Sequence, residues 1–252
     1  MLDSTRIAAI RQELQQIGCA SATSPAFQNQ LLSYLDMNAD RGDFLIEVGC
    51  FRGGMTAQLA AYAAERGKRF YVVDISDEYL ETARNSVKTA LGKVPACVEF
   101  VKKDLPTFLR GSQPSDRCTL VFIDGDHHYD GVVRDIRAVV DSSLKRPLTI
   151  CFHDYGLRCT AEGLTDVRVD KAIHDILPNC AVSPIGEIAG LGGILPVDPV
   201  SSSGEHFPRG MSEGVMVVLN DPRPFSSRLD PGHRGGRLKR LVKAALHAGR
   251  RS

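Results

Sequence analysis

Five apolar runs, each ending in a glycine, an acid or a histidine–acid pair and each followed by a helix-forming or turn segment, constrain this chain more than any other feature. They are Phe44–Val48, Phe70–Val73, the CVEFVKKD stretch from Cys97 to Asp104, CTLVFID from Cys118 and LTICFHD from Leu148. Continuous apolar runs bounded by charge read as strands buried on both faces. Helical periodicity is expected near 4–17, 24–35, 54–66, 77–91, 105–110, 130–143 and 167–177. That alternation predicts an α/β fold: a mostly parallel, doubly wound sheet with right-handed crossovers and helices on both faces. The glycine-rich AVSPIGEIAGLGGILPV reads as a closing antiparallel hairpin. Alternatively, Gly214–Leu219 is the last strand and 198–212 an insertion.

The first run continues as Glu47-x-Gly49-x-x-x-Gly53-Gly54 and then an alanine-rich pattern from Met55, which is strand, glycine turn, helix. Glycines allow the sharp turn and a close approach to a ligand, and the helix start offers unpaired N–H groups to an anion. The dinucleotide fingerprint G-x-G-x-x-G is absent, because Phe51 stands at its second glycine. An NAD-dependent oxidoreductase therefore remains only as an alternative. Asp74 closes the second run, where a carboxylate can accept both hydroxyls of a ribose. Asp104 closes the third, where it can either meet an adenine amino group or simply cap the next helix.

In an open α/β sheet ligands bind beyond the carboxyl ends of the strands, so Asp124, Asp126, His127, His153 and Asp154 share one rim. The plain alternative is that Asp124-Gly125-Asp126 is a hydrogen-bonded turn capping the helix after it. His128-Tyr129-Asp130 also has the H-x-D spacing of an iron triad, but such sites usually sit in β-rich barrels. His174-Asp175 lies in a helical pattern and is expected on an exposed face.

These motifs, the E-x-G-x-x-x-G-G turn, a strand ending IDGDH and a strand ending HD, resemble those of class I S-adenosylmethionine-dependent methyltransferases, in particular a bacterial small-molecule O-methyltransferase branch. The similarity spans about residues 25–197. It implies a Rossmann-like sheet of seven strands with one closing antiparallel strand, and S-adenosyl-L-methionine as cofactor. Glu47, Gly49 and Gly53 then match the methionine-binding turn, Asp74 the ribose acid and Asp104 the adenine contact. It further implies a divalent metal held by Asp124 and Asp154 with His153 beside them, Mg²⁺ first and Mn²⁺ or another ion as alternatives. His127 is the expected base and Asp126 the competing one. The implied acceptor is a hydroxyl on a sugar or other small natural product; a non-catalytic module that only binds S-adenosylmethionine is the remaining alternative.

The rest of the chain fits an enzyme of this kind. A net charge of +1 over 252 residues carries no global field toward nucleic acid, and the seven cysteines include no C-x-x-C pair, as expected of reduced thiols in a cytoplasmic protein. The N-terminus has early charge and no apolar stretch of signal-peptide length. Residues 1–40 read as two helices forming a lid or an interface, including one between identical subunits. Residues 41–220 read as the catalytic domain and 221–252 as a linker and tail. From Arg228 onward eight Lys or Arg face Asp230 alone, and Leu238, Leu241, Val242 and Ala245 recur at helical spacing. That basic amphipathic segment is suited to a membrane surface or an acidic partner.

Overall fold

Every residue of Phe44–Val48 (β1), Cys118–Ile123 (β4) and Leu148–Phe152 (β5) is buried, as strands covered on both faces require. The computed structural model describes residues 4–111, 117–157, 166–186 and 212–220. The other strands are Arg69–Asp74 (β2), Val98–Lys102 (β3), Val182–Ile185 (β6) and Gly214–Leu219 (β7). They form one seven-stranded sheet in the order β3-β2-β1-β4-β5-β7-β6. The first five are parallel, and β7 runs antiparallel to both β5 and β6. This is the Rossmann-like, doubly wound arrangement expected from the alternation.

The closing strand is thus Gly214–Leu219, the alternative reading, and among the described residues of the glycine-rich segment Val182–Ile185 forms a strand at the sheet edge. Pro184 has no N–H to donate and is tolerated there, whereas β7, with β-branched Val215, Val217 and Val218, can fill an interior position. Residues 187–211, with the Pro199–Gly210 stretch and His206, and the basic tail from 221 lie outside the described residues.

Among the described residues seven α-helices accompany the strands: Ser4–Gln16 (α1), Pro25–Met37 (α2), Gly54–Arg66 (α3), Asp77–Leu91 (α4), Leu105–Arg110 (α5), Tyr129–Val140 (α6) and Val169–Ile176 (α7). Ser24 and Ser76 cap α2 and α4 through their side chains. The first two helices share the main core: Ile7, Ile10, Leu14, Phe27, Leu31 and Leu35 are buried with Leu45, Leu59 and Phe122. Ile17, expected on the same stripe, is half exposed because the helix stops at Gln16 and Gly18 turns the chain at φ +70°. Among the described residues no helix is long and apolar enough to cross a membrane.

The strand order reverses between β1 and β4, and the chains leaving them come into contact. Gly49 follows β1 at φ +82°, and a Cβ there would sit 2.3 Å from the Asp124 carbonyl oxygen after β4. Gly53, at φ +79°, backs onto α4, where a Cβ would meet the Ala83 Cα at 2.5 Å. Only glycine fits either position. A Gly49→Ala variant is expected to lose at least about 1–3 kcal/mol from the backbone conformation alone, with the clash added, and a denaturant melt reads the loss.

Candidate active site

The reversal point opens into a cavity of about 1000 Å³, the place where open α/β sheets bind ligands. One end is formed by Gly49, Asp74, Ile75, Tyr79, Asp104 and Leu105, and the other by Asp124, Asp126, His127, His153, Asp154 and Glu213. The two non-glycine residues with positive φ among those described, Phe51 at 42° and Asp154 at 57°, both line it. Such backbone is costly for ordinary side chains and is retained where it aims a group at a site.

At the first end, Asp74 Oδ2 accepts from the Cys50 N–H at 3.0 Å and Oδ1 from the Ser76 N–H at 2.9 Å. These bonds lock the carboxylate across the tips of β1 and β2. Asp104 Oδ1 accepts from the Thr107 N–H at 2.9 Å, so it caps α5 while still facing the cavity. The Thr107 hydroxyl first, and its N–H second, hold the Asp104 carboxyl below the ordinary range. Glu47 is buried within β1, and its Oε2 has no hydrogen-bond partner. Burial pushes its carboxyl well above the usual value, the neighbouring Thr56 hydroxyl opposes the rise, and Asp124 and Asp74 add to it.

At the second end, His127 Nδ1 lies 3.1 Å from Asp154 Oδ2. Asp154 Oδ1 lies 3.0 Å from His153 Nδ1, which also lies 3.0 Å from Asp124 Oδ1. The other nitrogen of His153, Nε2, meets Glu213 Oε1 at 3.2 Å. Burial alone would lower the His153 pKa, but Asp124, Asp154 and Glu213 together raise it well above its ordinary value. Its protons in turn hold Asp154 and Glu213 below the ordinary carboxyl range despite their burial. Phe27 closes the apolar side with its ring edge-on to His153 at 5.3 Å.

The five rim residues expected from the strand ends are therefore brought together, with different surroundings. Asp124, His127 and Asp154 each present a donor atom within 4.8 Å of the others, in the manner of a metal-ligating trio. His153 stands behind them with both ring nitrogens engaged by carboxylates. Asp126 turns away: its Oδ1 accepts from the His128 N–H at 3.0 Å and lies 2.8 Å from His128 Nδ1. Burial would raise its pKa, but those contacts with His128 hold it low. This is a hydrogen-bonded turn just before α6, whose N-cap residue, His128, has no side-chain capping bond. His174, although on an exposed face, lies with Nε2 2.5 Å from the Tyr155 hydroxyl.

Residues 46–155 match the family model described as a methyltransferase domain. The chain as a whole shares its fold with solved O-methyltransferases. Its fold is similar to that of cofactor-bound Rv0187 from MTB, at 19% identity and a TM-score of 0.57, over 86% of this chain and 90% of that one. The O-methyltransferase TomG from Streptomyces achromogenes, solved with SAM, matches at 16% identity and 0.54, covering 85% and 89%. An O-methyltransferase from Bacillus cereus, solved with SAH, matches at 14% and 0.54, covering 86% and 91%. Among curated proteins no relative matches.

Four residues in or behind the cavity lie outside the set expected from the sequence. Glu213 opens the last strand 60 residues from His153, and no local spacing links them. Ser24 is legible only as a helix cap. Asp135 and Arg134 also line the cavity, from α6. Asp135 shares the buried stripe of Val132, Ile136 and Val139, and an acid on that stripe is a readable signal. Burial pushes its carboxyl up to about 6 against the pull of Arg134.

The buried charges make stability depend on pH with a definite sign. A histidine pKa raised on folding stabilises fully below the unfolded value of about 6.5 and loses that contribution as pH rises through the folded pKa. Asp154 and Glu213, with lowered pKa values, stabilise above about 4 and lose it as pH falls through their folded values. The cluster therefore contributes most between about pH 4.5 and 6.5. Thermal melts of the protein should show a declining midpoint above that window, and a His153→Gln variant should show a smaller decline.

Proposed function

We propose that the chain is an S-adenosylmethionine-dependent O-methyltransferase acting on a hydroxyl of a small polyhydroxylated acceptor, and that His127, oriented by Asp154, is the base. The observation that carries this reading is the 3.1 Å contact between His127 Nδ1 and Asp154 Oδ2 inside the cavity. The names of TomG and the Bacillus cereus protein, both O-methyltransferases solved with SAM or its product, support the donor and the atom methylated.

The donor fits the residues present. Gly49 leaves the space that a side chain would fill, and the turn through Gly53 leads into the N-terminus of α3, which favours a carboxylate. Asp74 is fixed where ribose hydroxyls would lie, and Asp104 with Leu105 bounds the base end. Bound S-adenosylmethionine supplies an electrophilic methyl group. As the O–CH₃ bond forms and the S–CH₃ bond breaks, the acceptor oxygen must shed its proton. With Nδ1 directed to Asp154, the Nε2 of His127 is the atom that takes it. The adjoining carboxylate stabilises the imidazolium that results, and Asp126, already hydrogen-bonded and held low, is the weaker base.

A second reading has its own observation, the convergence of donor atoms from Asp124, His127 and Asp154. Two carboxylates and an imidazole suit Mn²⁺ or Fe²⁺ as well as Mg²⁺, and an ion there would supply Lewis-acid activation of the acceptor hydroxyl. His127 would then be a ligand, and His153, with both nitrogens engaged, the group that orients the acids.

Calorimetric titration with S-adenosylhomocysteine, with EDTA and then with Mg²⁺ or Mn²⁺, tests the donor and the ion together. Binding that survives EDTA is expected, and no binding under any condition overturns the proposal. Across a panel of polyhydroxylated acceptors assayed by S-adenosylhomocysteine release, His127→Ala is expected to lower turnover about 10²–10⁴-fold with donor affinity retained. Turnover retained in chelator by wild type, with Asp124→Ala still active, would remove the metal reading and leave the base.

A further inference from the structure

The cavity's reactive end is connected to a residue far from it in the chain. Glu213, 2% exposed, begins the turn into β7 and meets three separate parts of the fold. Its Oε1 lies 3.2 Å from His153 Nε2 and accepts from the Ser24 N–H at 2.6 Å. Its Oε2 accepts from the Ser24 hydroxyl, the same hydroxyl that accepts from the Phe27 N–H to cap α2. Its backbone carbonyl accepts from the Tyr155 N–H at 3.0 Å, just past Asp154.

We infer that Glu213 is a positioning residue: acting through His153, it fixes the Asp154 carboxylate and so the orientation of His127. This deepens the reading of His127 as the base and rests on it. The contacts form one unbroken series, from Glu213 Oε1 to His153 Nε2, from His153 Nδ1 to Asp154 Oδ1, and from Asp154 Oδ2 to His127 Nδ1. His153 Nδ1 is shared with Asp124 Oδ1, also at 3.0 Å, so the ring is held from Asp124 as well as from the two ends of the series. Little room exists for an alternative arrangement. A side chain at Gly186 would lie 2.5 Å from Glu213 Oε2, and Phe27 bounds His153.

Asp154 most needs this support. Its backbone sits at φ +57°, a costly conformation for a non-glycine residue that persists only where the surroundings hold it. With the Glu213 carboxylate removed, His153 Nε2 loses its acceptor, the ring is held only through Nδ1 by Asp124 and Asp154, and the Oδ1 contact that orients Asp154 weakens. Asp154 can then rotate away from His127, whose two tautomers become comparable. The same carboxylate seats the start of α2, two residues beyond Ala22 at the cavity wall, so the N-terminal helices and the base are aligned from one point.

Nuclear magnetic resonance of protein labelled with ¹⁵N-histidine tests this without knowledge of the acceptor. His127 resonances are assigned by their loss in His127→Asn, and S-adenosylhomocysteine affinity is measured in parallel. Wild type is expected to show His127 mainly as the Nδ1–H tautomer. Glu213→Leu, which removes the acceptor, should yield a mixture of tautomers, with S-adenosylhomocysteine affinity within about twofold of wild type. Ser24→Ala, which removes the cap but leaves the series intact, should lower the melting temperature and leave the tautomer as in wild type. Retention of the wild-type tautomer in Glu213→Leu, or its loss to the same degree in Ser24→Ala, overturns the inference. If Glu213→Leu does not fold, His153→Gln takes its place, and an unchanged His127 signature there has the same consequence. A wild-type His127 without a dominant Nδ1–H form instead removes the base reading itself, and the inference with it.

Discussion

The close approach of two chain crossings at the strand reversal governs everything built above it. Gly49 after β1 lies against the Asp124 carbonyl after β4, and no side chain fits between them. Because the connections diverge from this point, a cleft opens outside the carboxyl ends of the strands, and the residues ending each strand project into it. Asp74, Asp104, Asp124 and Asp154 therefore face one space although they are spread over 80 residues of chain. The glycine turn supplies the donor end and the acid–histidine tips of β4 and β5 the reactive end.

At the reactive end the decisive feature is a buried imidazole among carboxylates. His153 is 5% exposed and meets Asp124, Asp154 and Glu213. Burying such groups is costly in itself, and their mutual attraction mainly offsets that cost. What the arrangement yields is geometry: two acids held at a fixed spacing beside His127, with one of them on costly left-handed backbone. Asp126 shows the contrast, since its Oδ1 is engaged by the His128 backbone and ring just before the helix.

Most of the sheet is legible in the residues because β1, β4 and β5 are buried on both faces and so must be continuously apolar. The helices of 54–66, 77–91 and 105–110 are legible for a similar reason, being bounded by glycine, by the Ser76 cap and by the Asp104 cap with Pro106. Legibility fails at the last strands. There two candidate segments carry similar apolar content, and only pairing with β5 selects Gly214–Leu219 over the glycine-rich stretch. It fails again for the N-terminal helices, whose apolar stripes are equally consistent with a lid and with the core they join.

By itself, the sequence determined the alternating architecture, the glycine turn and the set of acids and histidines at the strand tips, because these depend on burial periodicity and on residues adjacent in the chain. The tertiary structure alone decided which of those groups work together. That His127 faces Asp154, that Asp126 turns to His128 instead, and that Glu213 stands behind His153 are matters of side-chain direction that the packed fold sets. Hydrogen bonds of that kind depend on distances of about 3 Å, and only the packed sheet, with α2 seated on it, sets distances so finely.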